Sequence, residues 1–176
     1  MITLQKDFDI EGFLLINFIN LSSKEKELVR KWRNHYEIRK WMYQDHIISS
    51  EEHSKFSEKL KEDNKNSYWL VKNKNRKYLG VIYLNRIDFV NKNAYLGIYS
   101  NPKIKGAGQM LMQCLKNLAF NIIKLHTLKL KVIENNGKAI RFYRKNGFKK
   151  EGQLKEFVYK DKKWQDVIIM GIINRR

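Results

Sequence analysis

Cysteine and proline are scarce in this chain of 176 residues. The one cysteine cannot form a disulfide within the chain, which fits a reducing compartment such as the cytoplasm. There is also only one proline, and no stretch rich in glycine, serine or proline marks a linker between domains. We therefore expect residues 1–176 to form a single cytoplasmic domain.

Long apolar runs are missing as well. Residues 13–19 are largely apolar, but this stretch is too short to span a bilayer, and Asp7, Asp9 and Glu11 precede it. The sequence therefore predicts a protein without a membrane segment. Because 43% of the residues are nevertheless apolar, the chain has enough of them for a folded core.

Acidic residues are outnumbered two to one, at 18 against 36 lysines and arginines, which gives a formal net charge of +18. Such a charge first suggests nucleic acid or an anionic membrane as a partner. The basic residues are scattered, however, and the runs at 72–77 and 160–163 lie between strand-like segments, as solvated hairpin turns do. We expect neither partner and keep a nucleic-acid-binding module as an alternative. The charge disfavours a cationic substrate such as a polyamine and favours ligands with phosphates.

The alternation of apolar and polar residues predicts an α/β protein. Capping boxes at Ser22/Glu25 and Ser49/Glu52 begin two helices, and Asn146-Gly147 ends a third. A short helix over 36–43 and a longer one over 109–123 complete the set. The predicted strands cover residues 13–20, 67–72, 77–88, 93–100, 127–133, 148–159 and 164–173. This order predicts a mixed, mostly antiparallel sheet of about seven strands with helices on both faces.

A short glycine loop joins the strand at 93–100 to the helix that follows it. Gly106 and Gly108 allow the backbone to turn tightly and to approach a ligand closely. The free N–H groups of the helix's first turn, with Lys103 and Lys105 beside them, form a predicted pyrophosphate site. Two glycines are a weak signal, and an ordinary strand–helix turn is the alternative.

A second motif, at residues 134–148, makes the glycine loop more specific. With the pattern Lys103-x-x-Gly106-x-Gly108 before it, Asn136-x-x-Ala139-x-x-x-Tyr143-x-x-x-Gly147-Phe148 resembles the GCN5-related N-acetyltransferase (GNAT) superfamily over residues 10–173. Lys103 departs from the family's usual Gln or Arg. The resemblance implies acetyl-CoA as cosubstrate, no metal and a homodimer, although no dimer interface can be read from the sequence.

A narrower resemblance is to the family's enzymes of pseudaminic acid biosynthesis, a precursor pathway for flagellin glycosylation. These enzymes acetylate the 4-amino group of a UDP-linked 4-amino-4,6-dideoxy sugar by direct transfer in a ternary complex. The stretches that carry this resemblance are residues 32–35, 41–43, 95–99, 134–136, 154, 160–163 and 166–167. Acetylation of a protein N-terminus, such as that of a ribosomal protein, is the main alternative within the family.

The GNAT resemblance assigns roles to residues on the cofactor side. Tyr143 is the expected general acid for the CoA sulfur, since a phenol is protonated at neutral pH; a packing tyrosine is the alternative. Glu134 is the candidate base, acting through water, although a solvated or helix-capping carboxylate fits equally. The expected cofactor-binding residues are Ile98, whose amide faces the thioester carbonyl, with Lys103, Lys105, Gly106, Ala107, Gly108, Gln109, Asn136 and Phe142.

The acceptor is expected to contact residues from several parts of the chain. Arg33, His53 and Arg86 offer donors for a nucleotide diphosphate, although His53 could equally be a histidine at the core edge. An apolar wall for the sugar methyl group, or else plain core, is formed by Met42, Tyr43, Phe56 and Tyr95; Asn85 and Tyr99 are weaker candidates. Cys114 is expected in the core, and His35, His46 and His126 lack metal-ligand spacing.

Overall fold

The computed structural model describes residues 4–175 and contains one eight-stranded sheet with the order β1-β2-β3-β4-β5-β6-β8-β7. All neighbouring strands are antiparallel except β5 and β6, so the predicted mixed, mostly antiparallel sheet is confirmed. The strands are β1 (Phe8–Ile10), β2 (Phe13–Asn17), β3 (Ser67–Lys72), β4 (Tyr78–Asp88), β5 (Asn93–Ser100), β6 (Thr127–Ile133), β7 (Lys149–Lys160) and β8 (Lys163–Ile173).

Five α-helices connect the strands: α1 (Ser23–Asn34), α2 (Tyr36–Arg39), α3 (Ser50–Lys59), α4 (Ala107–Lys116) and α5 (Gly137–Lys145). The helix starts predicted at Ser22 and Ser49 are confirmed, whereas α4 begins two residues before the predicted Gln109. Ser22 accepts from the Glu25 N–H while the Glu25 carboxylate accepts from the Ser22 N–H, which is a complete capping box. Ser49 caps α3 through the Glu52 N–H. No helix within residues 4–175 is both long and apolar enough to cross a membrane.

Helices cover both faces of the sheet and create two cores. On one face α4 and α5 pack over the larger core, which includes Leu111, Leu115 and Phe148. Cys114 is buried in the same core, as predicted. On the other face α1 contributes Val29 and Trp32 to a smaller core that also contains Tyr99. Strand β5 therefore has one core on each of its faces, the larger under α4 and α5 and the smaller under α1.

Local predictions were wrong at β1, at the end of β2, within the helix after β5 and at the end of α2. Strand β1 was missed because it has three residues, although Glu11-Gly12, both with positive φ, forms the tight turn to β2. The strand predicted over 13–20 ends at Asn17, whose side chain accepts from the Ile19 N–H and begins a 3₁₀ turn, Phe18–Asn20. The helix predicted over 109–123 changes to a π-helix at Asn117–Ile122.

The short helix α2 ends earlier than predicted, at Arg39 instead of Tyr43. The backbone from Lys40 to Asp45 continues without regular structure and is held by side chains from outside it. This segment runs beside the cavity described below.

Candidate active site

The glycine loop opens α4 as a bare helix N-terminus. Gly106 has φ +79° and no atom within 4 Å of the place where a Cβ would stand, so the loop is open at this point. No side chain caps the helix, and its first turn carries no acidic residue. The positive end of the α4 dipole therefore faces solvent with Lys103 and Lys105, both exposed, nearby. An anionic group fits this end of α4.

Strands β5 and β6 separate immediately beside this loop. Their parallel pairing covers only Asn93 to Tyr95 on β5, whereas β5 continues to Ser100. Beyond Tyr95, the edge of β5 that faces β6 therefore makes no ladder with that strand. Such an edge offers backbone donors and acceptors to an extended ligand.

The register of β4 and β5 tells which amides face this opening. The Asn101 N–H donates to the Leu79 carbonyl at 2.8 Å, and hydrogen-bonded pairs alternate along an antiparallel ladder. The backbone N–H groups of Gly97 and Tyr99 therefore point toward β4, and the N–H of Ile98 between them points toward the opening. This is the amide that the sequence analysis selected as the oxyanion donor.

Helix α5 brings Tyr143 against the larger core. The ring makes edge contacts with Phe142 at 5.5 Å and with Phe148 at 5.8 Å between centroids. Burial raises the pKa of Tyr143 to about 12, so the phenol keeps its proton at neutral pH. The Phe142 ring also lies next to Gly108, where a Cβ would stand 3.6 Å from it. The second motif and the glycine loop are thus in contact.

Two polar side chains near this site already have protein partners. Asn136 caps α5 by accepting from the Ala139 N–H at 3.2 Å. The Gln109 amide is paired with the Asn146 side chain in both directions, at 3.0 and 3.1 Å. The Gln109–Asn146 pair fixes the end of α5 relative to the first turn of α4, and Asn136 fixes the start of α5 itself.

Glu134 lies just beyond β6 and is exposed. Its carboxylate accepts from the Gln153 amide at 3.0 Å, and the same amide donates to Asp166 at 2.7 Å. The Glu134 N–H donates to the Asp166 carbonyl. A network from the β7–β8 hairpin therefore holds Glu134, which leaves its carboxylate open to water.

A cavity of about 360 Å³ lies on the other face of the sheet, between β3–β5 and the helices α1 and α3. It collects six of the nine residues that the sequence analysis assigned to the acceptor: Arg33, Met42, His53, Phe56, Asn85 and Tyr99. The remaining lining residues were not predicted: Phe18, Gln44, Ile48, Glu52, Tyr68 and Tyr83. Of these, only Glu52 lies in a recognisable motif, the Ser49/Glu52 capping box, which indicates a helix start and not a binding site.

Two buried polar atoms in this cavity have no hydrogen-bond partner: Nη1 of Arg33 and Oδ1 of Asn85. The other terminal nitrogen of Arg33 donates to the Gln44 carbonyl at 3.1 Å. Among residues 4–175, no carboxylate forms an ion pair with Arg33, and burial lowers the pKa of its guanidinium. A half-buried cation without an ion-pair partner favours a ligand that carries negative charge in this cavity.

The aromatic wall connects the cavity to the opening between β5 and β6. Tyr68 and Tyr83 stack with centroids 4.8 Å apart, and the Tyr83 ring lies directly over Gly97 on β5. Any side chain at position 97 would displace that ring. Burial, together with the nearby Tyr68 and Tyr143 phenols, raises the pKa of Tyr83. Tyr143 therefore lies within electrostatic range of the cavity's wall.

His53 is buried on α3, with its ring 6.4 Å from Phe56 and 6.1 Å from Phe18. Burial and, to a lesser extent, the Arg30 charge lower its pKa, which keeps the imidazole neutral at pH 7. Glu52 also lines the cavity, but its carboxylate is exposed and pairs with His46 at 2.8 Å.

The other three predicted acceptor residues lie outside the cavity wall. Tyr95 is flanked by Arg86 and Lys131, each with its cationic group 5.7 Å from the ring centroid. Tyr43 packs edge-on against Phe157, 6.1 Å away. Lys131 was not predicted; burial lowers its pKa, and it adds a cation where β5 and β6 part. No group of three His, Cys, Asp or Glu residues able to hold a metal occurs within residues 4–175.

Comparison with known proteins identifies this arrangement. Residues 30–148 match the model of the acetyltransferase (GNAT) family. The acetyltransferase PseH of Campylobacter jejuni is 40% identical over 148 residues, which is 82% of this chain and 90% of that protein. The crystal structure of the Campylobacter jejuni N-acetyltransferase PseH superposes with a TM-score of 0.73 at 32% identity, covering 93% of this chain and 99% of the other.

A second group of relatives is more distant. The spermidine N(1)-acetyltransferase of Vibrio cholerae is 25% identical over 158 residues, or 89% of this chain and 91% of that protein. A structure of that enzyme in complex with CoA and spermine has a TM-score of 0.82 at 24% identity, covering 93% and 96% of the two chains. This likeness concerns the fold alone.

Proposed function

The chain belongs to the GNAT acetyltransferase family and is an N-acetyltransferase, and from this premise we propose its acceptor, its cosubstrate and its mechanism. The acceptor is a UDP-linked 4-amino-4,6-dideoxy sugar, UDP-4-amino-4,6-dideoxy-N-acetyl-β-L-altrosamine, acetylated on the 4-amino group. The donor is acetyl-CoA, and transfer is direct within a ternary complex. The enzyme acts as one cytoplasmic domain in the pseudaminic acid pathway.

The observation that carries the choice of acceptor is Arg33 in the cavity wall, whose buried Nη1 has no hydrogen-bond partner. A pyrophosphate would supply the missing counter-charge and accept hydrogen bonds from Arg33 Nη1 and from a neutral His53. The free Asn85 oxygen adds an acceptor for a hydroxyl or amide group of the ligand. Phe56 and Met42 give the same cavity apolar surface for a deoxy sugar.

A polyamine would meet the opposite environment. It would bring positive charge into a cavity that already holds the half-buried Arg33 guanidinium, and the repulsion between the two cations would weaken its binding. The lining carboxylate Glu52 is exposed and is paired with His46. The resemblance to spermidine acetyltransferases therefore does not extend to the acceptor in this proposal.

Acetyl-CoA fits the other face of β5. The bare N-terminus of α4 and the open Gly106 suit its pyrophosphate, with Lys103 and Lys105 beside it. The unpaired edge of β5 suits the amide groups of pantetheine, which would pair there as an added strand. The Ile98 N–H then donates to the thioester carbonyl and stabilises negative charge that develops on its oxygen.

The chain's side chains move two protons in this mechanism. The sugar's neutral amine attacks the thioester carbonyl, so that a C–N bond forms and the C–S bond breaks. Tyr143 donates its proton to the leaving sulfur, and Glu134 receives the amine's proton through water. The high pKa of Tyr143 keeps that phenol protonated until the sulfur departs.

Turnover of the purified chain with acetyl-CoA tests the proposal. With the UDP-linked amino sugar, CoA should be released with saturation kinetics in both substrates. Two other acceptors are assayed in parallel: spermidine for polyamine acetylation, and a peptide with a free N-terminus for N-terminal acetylation. Saturable turnover of the peptide without turnover of the nucleotide sugar would support N-terminal acetylation instead.

A further inference from the structure

Lys160, the last residue of β7, is the most deeply buried lysine among residues 4–175, with 7% of its surface exposed. Taking an ammonium out of water is costly unless its donors are satisfied. Its Nζ donates to the carbonyls of Lys40 at 2.6 Å and Met42 at 2.9 Å, with the Arg39 carbonyl at 3.4 Å. The Asp45 carboxylate lies 3.4 Å away.

These carbonyls belong to the segment that follows α2. Residues 40–45 have no strand or helix of their own, and two of them, Met42 and Gln44, line the cavity. The carbonyls at the end of a helix carry partial negative charge, which suits a buried ammonium. Lys160 therefore holds the cavity's wall from 118 residues away in the sequence.

The shape of β7 explains how Lys160 reaches this segment. The register with β8 shifts between Leu154 and Val158, and Glu156 within the shift has φ +45°. The Glu156 N–H donates to Asp166 at 2.8 Å, which fixes the bulge. Bulges bend a strand, and the bent end carries Phe157 against Tyr43 as well as Lys160 against Met42.

We propose that Lys160 is a positioning residue that fixes residues 40–45 as the acceptor-binding wall of the cavity. This inference rests on the proposed function only in taking the cavity as the acceptor site. Lys160 touches no reacting atom, so its loss changes how well the acceptor binds and leaves the chemical step and acetyl-CoA binding alone.

Kinetics of Lys160→Met test the proposal, because methionine keeps much of the apolar stem but removes the charge and all three donors. The acceptor KM, measured with the UDP-linked amino sugar, should rise about tenfold or more. The kcat and the acetyl-CoA KM should stay within about twofold. Lys163→Met, an exposed lysine at the same turn, is the matched control and should leave all three constants unchanged. Equal changes in both KM values, or a change in kcat alone, would overturn the proposal.

Hydrogen exchange of residues 40–45 gives a readout that needs no acceptor. These amides should exchange about tenfold faster in Lys160→Met, while amides of β3 to β5 keep their rates. Unchanged exchange in 40–45 would overturn the proposal, even if the wild-type chain proves inactive on the nucleotide sugar and the proposed function fails. Lys160→Arg keeps a cationic donor and should restore part of the lost protection. If Lys160→Met does not fold, Lys160→Gln, which loses the charge and one donor, is measured instead; exchange at 40–45 and an acceptor KM that both equal wild type in this variant would overturn the proposal.

Discussion

The two sides of β5 are assembled from the chain in different ways. On one face the glycine loop and α5 come from two short stretches, residues 103–109 and 136–148. On the other face the cavity takes side chains from seven separate parts of the chain, between Phe18 and Tyr99. The first side offers mainly backbone groups, and the second offers mainly side chains.

This difference follows from what each side binds in the proposed mechanism. A pyrophosphate and an extended pantetheine need a helix N-terminus and an unpaired strand edge, which two short motifs can build. An acceptor that must be distinguished from other amines needs side chains of chosen charge and shape. The two sides should therefore respond separately to substitution, one in the acetyl-CoA KM and the other in the acceptor KM.

The largest expected effect is at Tyr143, where the two sides meet. Tyr143→Phe removes the proton donor and keeps the ring contacts with Phe142 and Phe148, so kcat should fall about 100-fold. Both KM values should stay within about twofold. Steady-state kinetics with each substrate varied measure this. Tyr159→Phe, at an exposed tyrosine, is the control, and a Tyr143→Phe enzyme with unchanged kcat would remove Tyr143 from the mechanism.

The next effect is at Arg33, on the acceptor side only. Arg33→Met should raise the acceptor KM about 10- to 100-fold, since charge-assisted hydrogen bonds contribute about 1.5–3 kcal/mol. The acetyl-CoA KM should not change. Because the guanidinium is half-buried and has no ion-pair partner among residues 4–175, the free energy of unfolding should fall by no more than about 1 kcal/mol. Lys31→Met, exposed on the same helix, is the control; a large loss of stability in Arg33→Met would assign Arg33 a structural role instead.

A smaller effect is expected at Gly106, on the cofactor side only. Gly106→Ala places a Cβ at φ +79°, which costs about 1–2 kcal/mol of stability although the space is open. The strained loop should raise the acetyl-CoA KM about threefold to tenfold and leave the acceptor KM unchanged. Gly152→Ala, where a Cβ makes only an ordinary contact with Ile169, is the matched control. An equal rise in both KM values would mean that the two sides are coupled.

The smallest effect is the pH dependence that His53 contributes to stability. Burial lowers its pKa in the folded protein below the unfolded value of about 6.5, so the unfolded chain binds the proton more readily. The stabilisation is complete above pH 6.5 and is lost as the pH falls toward the folded pKa. In denaturant unfolding, the free energy of unfolding should therefore be lower at pH 5.5 than at pH 7.5. In His53→Asn this difference between the two pH values should be smaller by about 1 kcal/mol or less.

Exposed His126 provides the comparison for this measurement. His126→Asn should leave the difference between the two pH values unchanged. A larger pH dependence in His53→Asn than in wild type would contradict the direction of the His53 shift.

The same contrast separates what the sequence predicts well from what it misses. Gly106 and Gly147 have positive φ, and Asn136 caps α5 with its side chain. These local features located the end of α5 and, taken with the second motif, the glycine loop. Tyr68 and Tyr83 lie on strands whose alternation predicts only which face they share. The run at 72–77 indicates the hairpin, but the contact between the two tyrosines depends on the register of β3 with β4, which shifts at Val71/Lys72 and is not given by the alternation within either strand.

Residues 36–45 show a further limit of what the sequence predicts. The apolar spacing over 36–43 favoured a helix, but α2 ends at Arg39 and the following carbonyls turn to Lys160. Lys160 itself lies in a run of charged residues that was interpreted as a solvated turn. A buried lysine in such a run has no sequence signal, because its partners are backbone carbonyls some 120 residues away.

One competition experiment tests the central claim most directly. The claim is that this N-acetyltransferase binds acetyl-CoA on one side of β5 and an anionic acceptor in the cavity on the other side. The chain is incubated with acetyl-CoA and equal amounts of the UDP-linked 4-amino-4,6-dideoxy sugar, spermidine and a free-amine peptide, and all products are followed by mass spectrometry. The nucleotide sugar should gain one acetyl group well before either other amine. Acetylation of spermidine or the peptide, with the nucleotide sugar left unchanged, would contradict the claim.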